Sequence, residues 1–434
     1  MVAPFQLAAL DGTEASAPRH KGRHAATPAK RRWSWFRTFL VLCLVILLVA
    51  AGFVVIRLRS PLAAATVTSA LSPTVTVPQS AHSLPWAATG QSAISVPALG
   101  VAEKAGTEVP VPVASLTKIM TAYVILEDHP LAAGASGPNI TMTQADVADY
   151  ELDTQQDEAN AAITVGEVLT EQQMLQGLLV HSANDFADAL AVWDAGSIAA
   201  FVTKMNQTAA QLAMTQTTYA DASGFSDNSV STASDVLIVA AKAMAIPAFA
   251  AIVKMPTVTL PVAGTLTTYT PLLGYLGVIG VKSGFTTKAG GCDVMAVERV
   301  VGGHTVTILT SVTGQVGTDQ PNVLLVAGVA ALTLADAVTN ELGSLDLIHA
   351  GALVAHASAN GHSVGVVAGH TVSVLTWPGI VYRRTVVAGR AVKPGDKVGT
   401  RAGSVVASLG STHIVVPAVL GATLPEATLL ERLF

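Results

Sequence analysis

The sequence predicts an α+β domain with a central antiparallel sheet and a helical insert, preceded by one transmembrane helix and followed by a small all-β domain. Three observations predict it. Residues 38–56 form an uncharged apolar run. Residues 113–341 combine long stretches of helical periodicity with one patch of alternating strands. After residue 342 the texture changes to short strands punctuated by Gly and Pro.

The bulk numbers narrow the function. The chain has 434 residues, of which 12% are charged, and a net charge of −5. Typical soluble domains carry about 25% charged residues, so this chain is poor in charge. A phosphate-backbone binder would show a basic domain, so no nucleic-acid partner is expected. Two cysteines are present, and Cys43 lies inside the apolar run. With Cys292 they make neither a disulfide framework nor a zinc cluster. No metal and no organic cofactor are expected.

The first element is the apolar run "TFLVLCLVILLVAAGFVVI", residues 38–56. As a helix it reaches about 28 Å, close to the ~30 Å hydrocarbon core of a bilayer. Residues 1–37 form a basic tail carrying Arg19, Lys21, Arg23, Lys30, Arg31, Arg32 and Arg37. Only Arg57 and Arg59 follow the run closely. The positive-inside rule puts the tail in the cytoplasm and the rest of the chain outside. Trp33 and Trp35 suit an interfacial anchor. A second reading stays open, a secretory signal cleaved near "LAAA" at 62–65. Either reading exports the bulk of the chain. Residues 57–84 are rich in Ser, Thr, Ala and Pro and read as an extended linker.

A domain spanning 85–342 follows. "WAATGQSAISVPAL" suggests a strand or hairpin. Apolar residues at 116, 119, 120, 123 and 124 match a helix packed in a core, with Pro112 just before its start. Ser115 then lies in the first turn, and Lys118 lies on the same side. Residues 164–194, 197–214, 232–246 and 321–341 also show helical spacing, with Ser231 and Thr232 as caps for the third. Between Val278 and Val312 the pattern becomes a three-stranded antiparallel meander. Residues 343–434 read as the separate β-rich domain.

Three short motifs carry the chemistry. Ser115-Leu116-Thr117-Lys118 is S-x-x-K, Ser182-Ala183-Asn184 is S-x-N, and Lys282-Ser283-Gly284 is K-S-G. Each alone is weak. In this order they form a signature of penicillin-recognising serine enzymes. With its flanking blocks "PVASLTKIMTAY", "GLLVHSANDFADALA" and "GVKSGFTTKAGGC", the chain resembles the low-molecular-mass penicillin-binding proteins that act as serine D-alanyl-D-alanine carboxypeptidases. The likeness covers about residues 85–340 and implies a penicillin-binding, serine β-lactamase-like domain.

The resemblance implies the roles. A serine hydroxyl needs a base before it attacks. Ser115 is the expected nucleophile and Lys118, desolvated and near Lys282, the expected base. Ser182 relays a proton to the leaving amine, and Asn184 binds substrate amide. Lys282 and Ser283 face the terminal carboxylate. The backbone N–H groups of Ser115 and Phe285 form the oxyanion hole, and Gly284 allows close approach. The implied partners are a peptidoglycan stem peptide ending in D-Ala-D-Ala, β-lactam antibiotics, and the membrane through the N-terminal helix.

His181, Cys292 and Lys288 are read as structural, packing and turn residues. The family's downstream carboxylate-binding arginine has no counterpart, because no Arg lies between 300 and 382. Between Gln172 and Val297 there is no glutamate, which argues against a fast β-lactamase. A D,D-endopeptidase acting on cross-links would use the same site. A catalytically weak cell-wall binding protein is the alternative from another class.

Overall fold

The structure, a computed structural model, describes residues 31–80, 83–317 and 319–433. Most of the expected basic tail, including Arg19, Lys21, Arg23 and Lys30, lies outside the described residues. The chain divides into two units, Met1–Ala63 with Pro425–Phe434, and Ala64–Leu424.

In the first unit, helix α1 spans Arg31–Arg59. Within its stretch Trp35–Arg59, an 18-residue window has a mean hydropathy of 3.3, and none of that window is buried. A helix that is apolar all round and unburied matches a membrane span. A short helix, Leu429–Leu433, sits beside it, with the Arg432 guanidinium donating to the Leu58 carbonyl at 3.2 Å.

The second unit begins with a departure from expectation. Residues 57–84 are not simply a linker. Strand β1 (Thr66–Ser69) and strand β2 (Thr74–Thr76) are the two edges of a seven-stranded sheet built otherwise from the C-terminal region. Thr and Val alternate in both, so one face packs inward while the other stays wet. Val67 and Val75 pack against the core of that sheet.

Strands β3 (Gln91–Val96) and β4 (Val101–Ala105) come next. The helical layer follows: α2 (Thr117–Asp128), α3 (Gln144–Gln155), α4 (Glu171–Val180), α5 (Asn184–Ala195), α6 (Ile198–Gln211), α7 (Ala233–Met244) and α8 (Pro247–Ile252). Every residue of α2 from Thr117 to Leu126 is buried, which makes it the central helix of the insert. Thr232 caps α7 through its side chain, as the sequence predicts.

The expected continuous helix over 164–194 is interrupted twice. Residues 168–170 are extended, and Thr170 then opens α4 in a reciprocal capping box with Gln173. At 181–183 the chain turns, and Ser182 takes a left-handed φ of 64°. Apolar periodicity runs through both breaks because it reports burial and not caps.

The meander is β5 (Val278–Thr286), β6 (Gly290–Val301) and β7 (His304–Gln315). It joins the first hairpin in a five-stranded antiparallel sheet ordered β5-β6-β7-β3-β4. Helix α9 (Gln320–Glu341) covers one face, and the helical insert covers the other. Residues Pro321–Glu341 are long and apolar enough to cross a membrane, but half of that segment is buried against protein. It is a core helix of a sheet buried on both faces.

The C-terminal module contributes β8 (Gly343–Ile348), β9 (Leu353–Ala359), β10 (His362–Ala368), β11 (Val372–Thr376), β12 (Val381–Ala388), β13 (Arg401–Leu409) and β14 (Thr412–Leu420). Its large sheet is ordered β1-β9-β10-β14-β13-β12-β2, while β8 and β11 pair separately.

Candidate active site

Ser115 sits in a 3₁₀ turn, Ala114–Leu116, that feeds directly into α2. The turn is strained, since Ala114 has a φ of 48°. It is held from above by the loop that contains Gly224. A Cβ at Gly224 would fall 1.9 Å from the Ala114 carbonyl oxygen, so only glycine permits this packing. Ser115 and Lys118 then face one another, with Lys118 Nζ 3.0 Å from Ser115 Oγ.

Lys118 is fully buried. Its ammonium also donates to Asn184 Oδ1 and, at 2.8 Å, to the Ser223 carbonyl. Burial pulls it down from the usual lysine value to about 8, against the opposing pull of Asp221, Asp188, Asp153 and Glu158. A lysine in that range loses its proton far more readily than a solvated one. Asp221 organises the loop that supplies the Ser223 carbonyl. It accepts from Ser223 Oγ at 3.1 Å, from the Ser226 N–H at 2.9 Å, and from Ser229 Oγ.

The break between α4 and α5 brings in the second motif. The left-handed turn at Ser182 ends the run of α4, and Asn184 is the first residue of α5. Gly177 on α4 allows this, because a Cβ there would meet the Phe186 ring at 2.4 Å. The third motif lies on β5, the outer strand of the sheet. Ser283 Oγ donates to the Tyr269 carbonyl at 2.7 Å. A Cβ at Gly284 would lie 2.7 Å from the Ser115 backbone nitrogen. The absence of a side chain there lets β5 approach the nucleophile turn.

A cavity of about 730 Å³ opens on these groups, and Ser115, Ser182, Asn184, Ser283, Gly284 and Phe285 all line it. Lys282 is placed differently from the sequence expectation. It is buried beneath the lining, and its Nζ donates to the carbonyl of Ser283 at 2.6 Å. Burial and the neighbouring Lys118 charge push it well below the usual lysine range. A buried amine takes the nearest acceptor, here its own strand.

His181 is not among the residues lining the cavity; its Nδ1 lies 2.9 Å from the Thr267 carbonyl oxygen and its ring stacks on Tyr269. Cys292 is buried and its thiol is pushed up to about 12, so it packs and does not react. Lys288, read as a turn residue, does line the cavity. Arg299 is held elsewhere, on Asp336 at 2.6 Å and on the Leu276 carbonyl.

Glu158 was not visible from sequence as a site residue. It lies in the loop after α3, lines the cavity, and accepts from Asn184 Nδ2. No spacing rule marks a single carboxylate in the run "DTQQDEAN". Ser223 and Asp221 were also missed, because neither belongs to one of the three motifs.

Known proteins resemble the central part of this chain. A family model described as D-alanyl-D-alanine carboxypeptidase matches residues 100–308. A D-alanyl-D-alanine carboxypeptidase of Streptomyces sp. strain K15 is 33% identical over 216 residues, covering 45% of this chain and 72% of that protein. A second, from Mycobacterium tuberculosis, is 35% identical over 196 residues, covering 43% of this chain and 62% of that protein. The chain thus spans somewhat under two thirds of the mycobacterial relative's length. Among solved structures, a peptidoglycan synthesis regulatory factor from Streptococcus pneumoniae superposes with a TM-score of 0.58 at 21% identity. That superposition covers 77% of this chain and 99% of the other, and it speaks for the fold.

Proposed function

Because the chain belongs to the D-alanyl-D-alanine carboxypeptidase family, we propose that it is a serine peptidase that removes the terminal D-alanine from peptidoglycan stem peptides through an acyl-enzyme. The observation that carries this reading is the 3.0 Å contact between buried Lys118 and Ser115, at a cavity that Ser182, Asn184 and Ser283 also line.

The steps follow from the groups. Neutral Lys118 takes the proton of Ser115 Oγ as that oxygen bonds to the carbonyl carbon of the penultimate D-alanine. The backbone N–H groups of Ser115 and Phe285 hold the developing oxyanion. The C–N bond then breaks, and the leaving D-alanine amine takes a proton that passes from Lys118 through Ser182. Water attacks the ester, a proton returns to Ser115 Oγ, and the shortened peptide leaves. Ser283 and Lys288 are the groups offered to the terminal carboxylate, with Lys282 beneath them. A β-lactam enters by the same acylation and leaves slowly.

The N-terminal apolar helix is of membrane-spanning length. The excess of positive charge before it supports a cytoplasmic N-terminus and an extracytoplasmic catalytic domain.

The test is covalent labelling of the detergent-solubilised chain with a fluorescent penicillin, beside Ser115→Ala. The expected result is a stable label on the wild type and none on the variant, followed by D-alanine release from a stem pentapeptide. A folded wild type that takes no label overturns the reading.

A further inference from the structure

Glu158 reaches the site through three ties between its loop and the start of α5. The Asn184 N–H donates to the Ala159 carbonyl at 2.8 Å. The Ala161 N–H donates to Asp185 Oδ1 at 3.2 Å. The third tie is the side-chain contact of Asn184 Nδ2 with Glu158 Oε2. Before them, Asp157 turns the chain with a φ of 58°, and the Glu158 N–H is anchored on the Asp153 carbonyl at 2.9 Å.

The result is a directed chain, Glu158 to Asn184 to Lys118 to Ser115. An asparagine amide has one end that accepts and one that donates. Here the oxygen faces an ammonium and the nitrogen faces a carboxylate. Rotating the amide by half a turn would set N–H groups against Lys118 and an oxygen against Glu158, so both contacts would become repulsive. Lys118 dictates the direction of the amide only while it is charged, because a neutral amine can accept as well as donate. Glu158 fixes the other end throughout the reaction, including the step in which Lys118 is neutral.

We propose that Glu158 is a positioning residue of the acyl-transfer site, which clamps the Asn184 amide toward Lys118 and sets its negative charge against release of the Lys118 proton. This rests on the peptidase reading above. The groups that bear on Lys118 are Asp153 from α3, Asp188 from α5, Asp221 from the Gly224 loop, Lys282 from β5, and Glu158. Asp221 pulls hardest on Lys118 through its charge, but its oxygens are taken by Ser223, Ser226 and Ser229 and do not touch Asn184. Burial raises Asp153 to about 6 and Asp188 to about 7, and it raises Glu158 as well, there opposed by the hydrogen bond from Asn184. Glu158 is the carboxylate that joins charge to a direct hold on Asn184.

The sign of the effect is fixed. Lys118 must be neutral to act as a base, so acylation climbs with pH along a limb set by Lys118. Removing a nearby negative charge lowers that limb. The experiment measures the rate of fluorescent-penicillin acylation from pH 5 to 10 on the full chain in detergent, for wild type, Glu158→Gln and Glu158→Ala, with Ser115→Ala as control. Glu158→Gln keeps an acceptor for Asn184 and loses the charge. Its limb is expected to move down by about half a pH unit, giving roughly threefold faster acylation at pH 7. Glu158→Ala also loses the clamp, and its rate is expected to fall about tenfold or more at high pH, with Glu158→Gln restoring it. A limb unmoved in Glu158→Gln, or a wild-type rate at high pH in Glu158→Ala, overturns the proposal. Should Glu158→Ala fail to fold, the limb of Glu158→Gln decides alone. Absence of label on the wild type overturns the peptidase reading itself, and this inference falls with it.

Discussion

At the scale of single residues, Lys118 shows how much spacing can tell and where it stops. The S-x-x-K interval alone places an amine beside a hydroxyl, because residues three apart share a helix face. The other two acceptors, Asn184 and Ser223, lie 66 and 105 residues away, and no local rule reaches them. Lys282 was legible as a motif residue, but its direction was not, since a strand residue's rotamer depends on what surrounds it. Glu158 was illegible for the reason given above, a lone carboxylate with no partner pattern. Two predictions belong here. The wild-type acylation rate should rise with pH through about 8, following the value set for Lys118 by burial. A rate that stays flat between pH 6 and 9 would exclude Lys118 as the base. Gly284→Ala should slow acylation by on the order of a hundredfold, because its Cβ would crowd the Ser115 N–H that must hold the oxyanion. Stopped-flow labelling checks it, and a rate near wild type would remove Gly284 from the site.

At the scale of elements, the central helix α2, the meander and α9 were readable because each is long and strongly periodic. The breaks around α4 were not, since caps and left-handed turns leave hydrophobic periodicity intact. Yet the break at Ser182 is what turns one helix into two and sets Ser182 and Asn184 at the cavity. The junction of α3 and α5 also gathers buried carboxyls. Desolvation raises Asp188 to about 7 and Asp153 to about 6, and it raises Asp185 well above the usual range. A carboxyl raised on folding stabilises fully below its ordinary value of about 4, and that stability is lost as pH rises through the folded value. The helical insert should therefore weaken between about pH 4 and 8. Asp188→Asn removes one of these groups. Its Tm should exceed that of wild type by a few degrees at pH 8, with the gap closing toward pH 5. Calorimetry across that range checks it, and a gap independent of pH would mean that Asp188 does not titrate as described.

At the scale of the whole molecule, the family domain and the β module were both foreseen, but the boundary between linker and fold was not. The stretch from Thr66 to Thr76 alternates Thr and Val as a strand does, while its Pro and Ser residues read as linker. Which of the two wins is decided by β9 and β12, which begin only at Leu353 and Val381 and offer open edges to it. A soluble fragment that starts at residue 85 discards β1 and β2 and leaves those edges bare. Compared with a fragment starting at residue 64, it should melt several degrees lower and aggregate more readily. Thermal unfolding with light scattering compares the two, and equal behaviour would show β1 and β2 to be dispensable.

That pairing also fixes an order of events in time. Thr66 bonds to Ser358, 292 residues further along the chain. At about 5–20 residues per second, roughly 15–60 s of synthesis separate the two. The first strands made are therefore among the last to find partners, and they stand on the far side of the peptidase domain in sequence. The catalytic fold can be complete while the module that receives β1 is still being made. At four and three residues, β1 and β2 are too short to recruit a neighbouring chain during that wait.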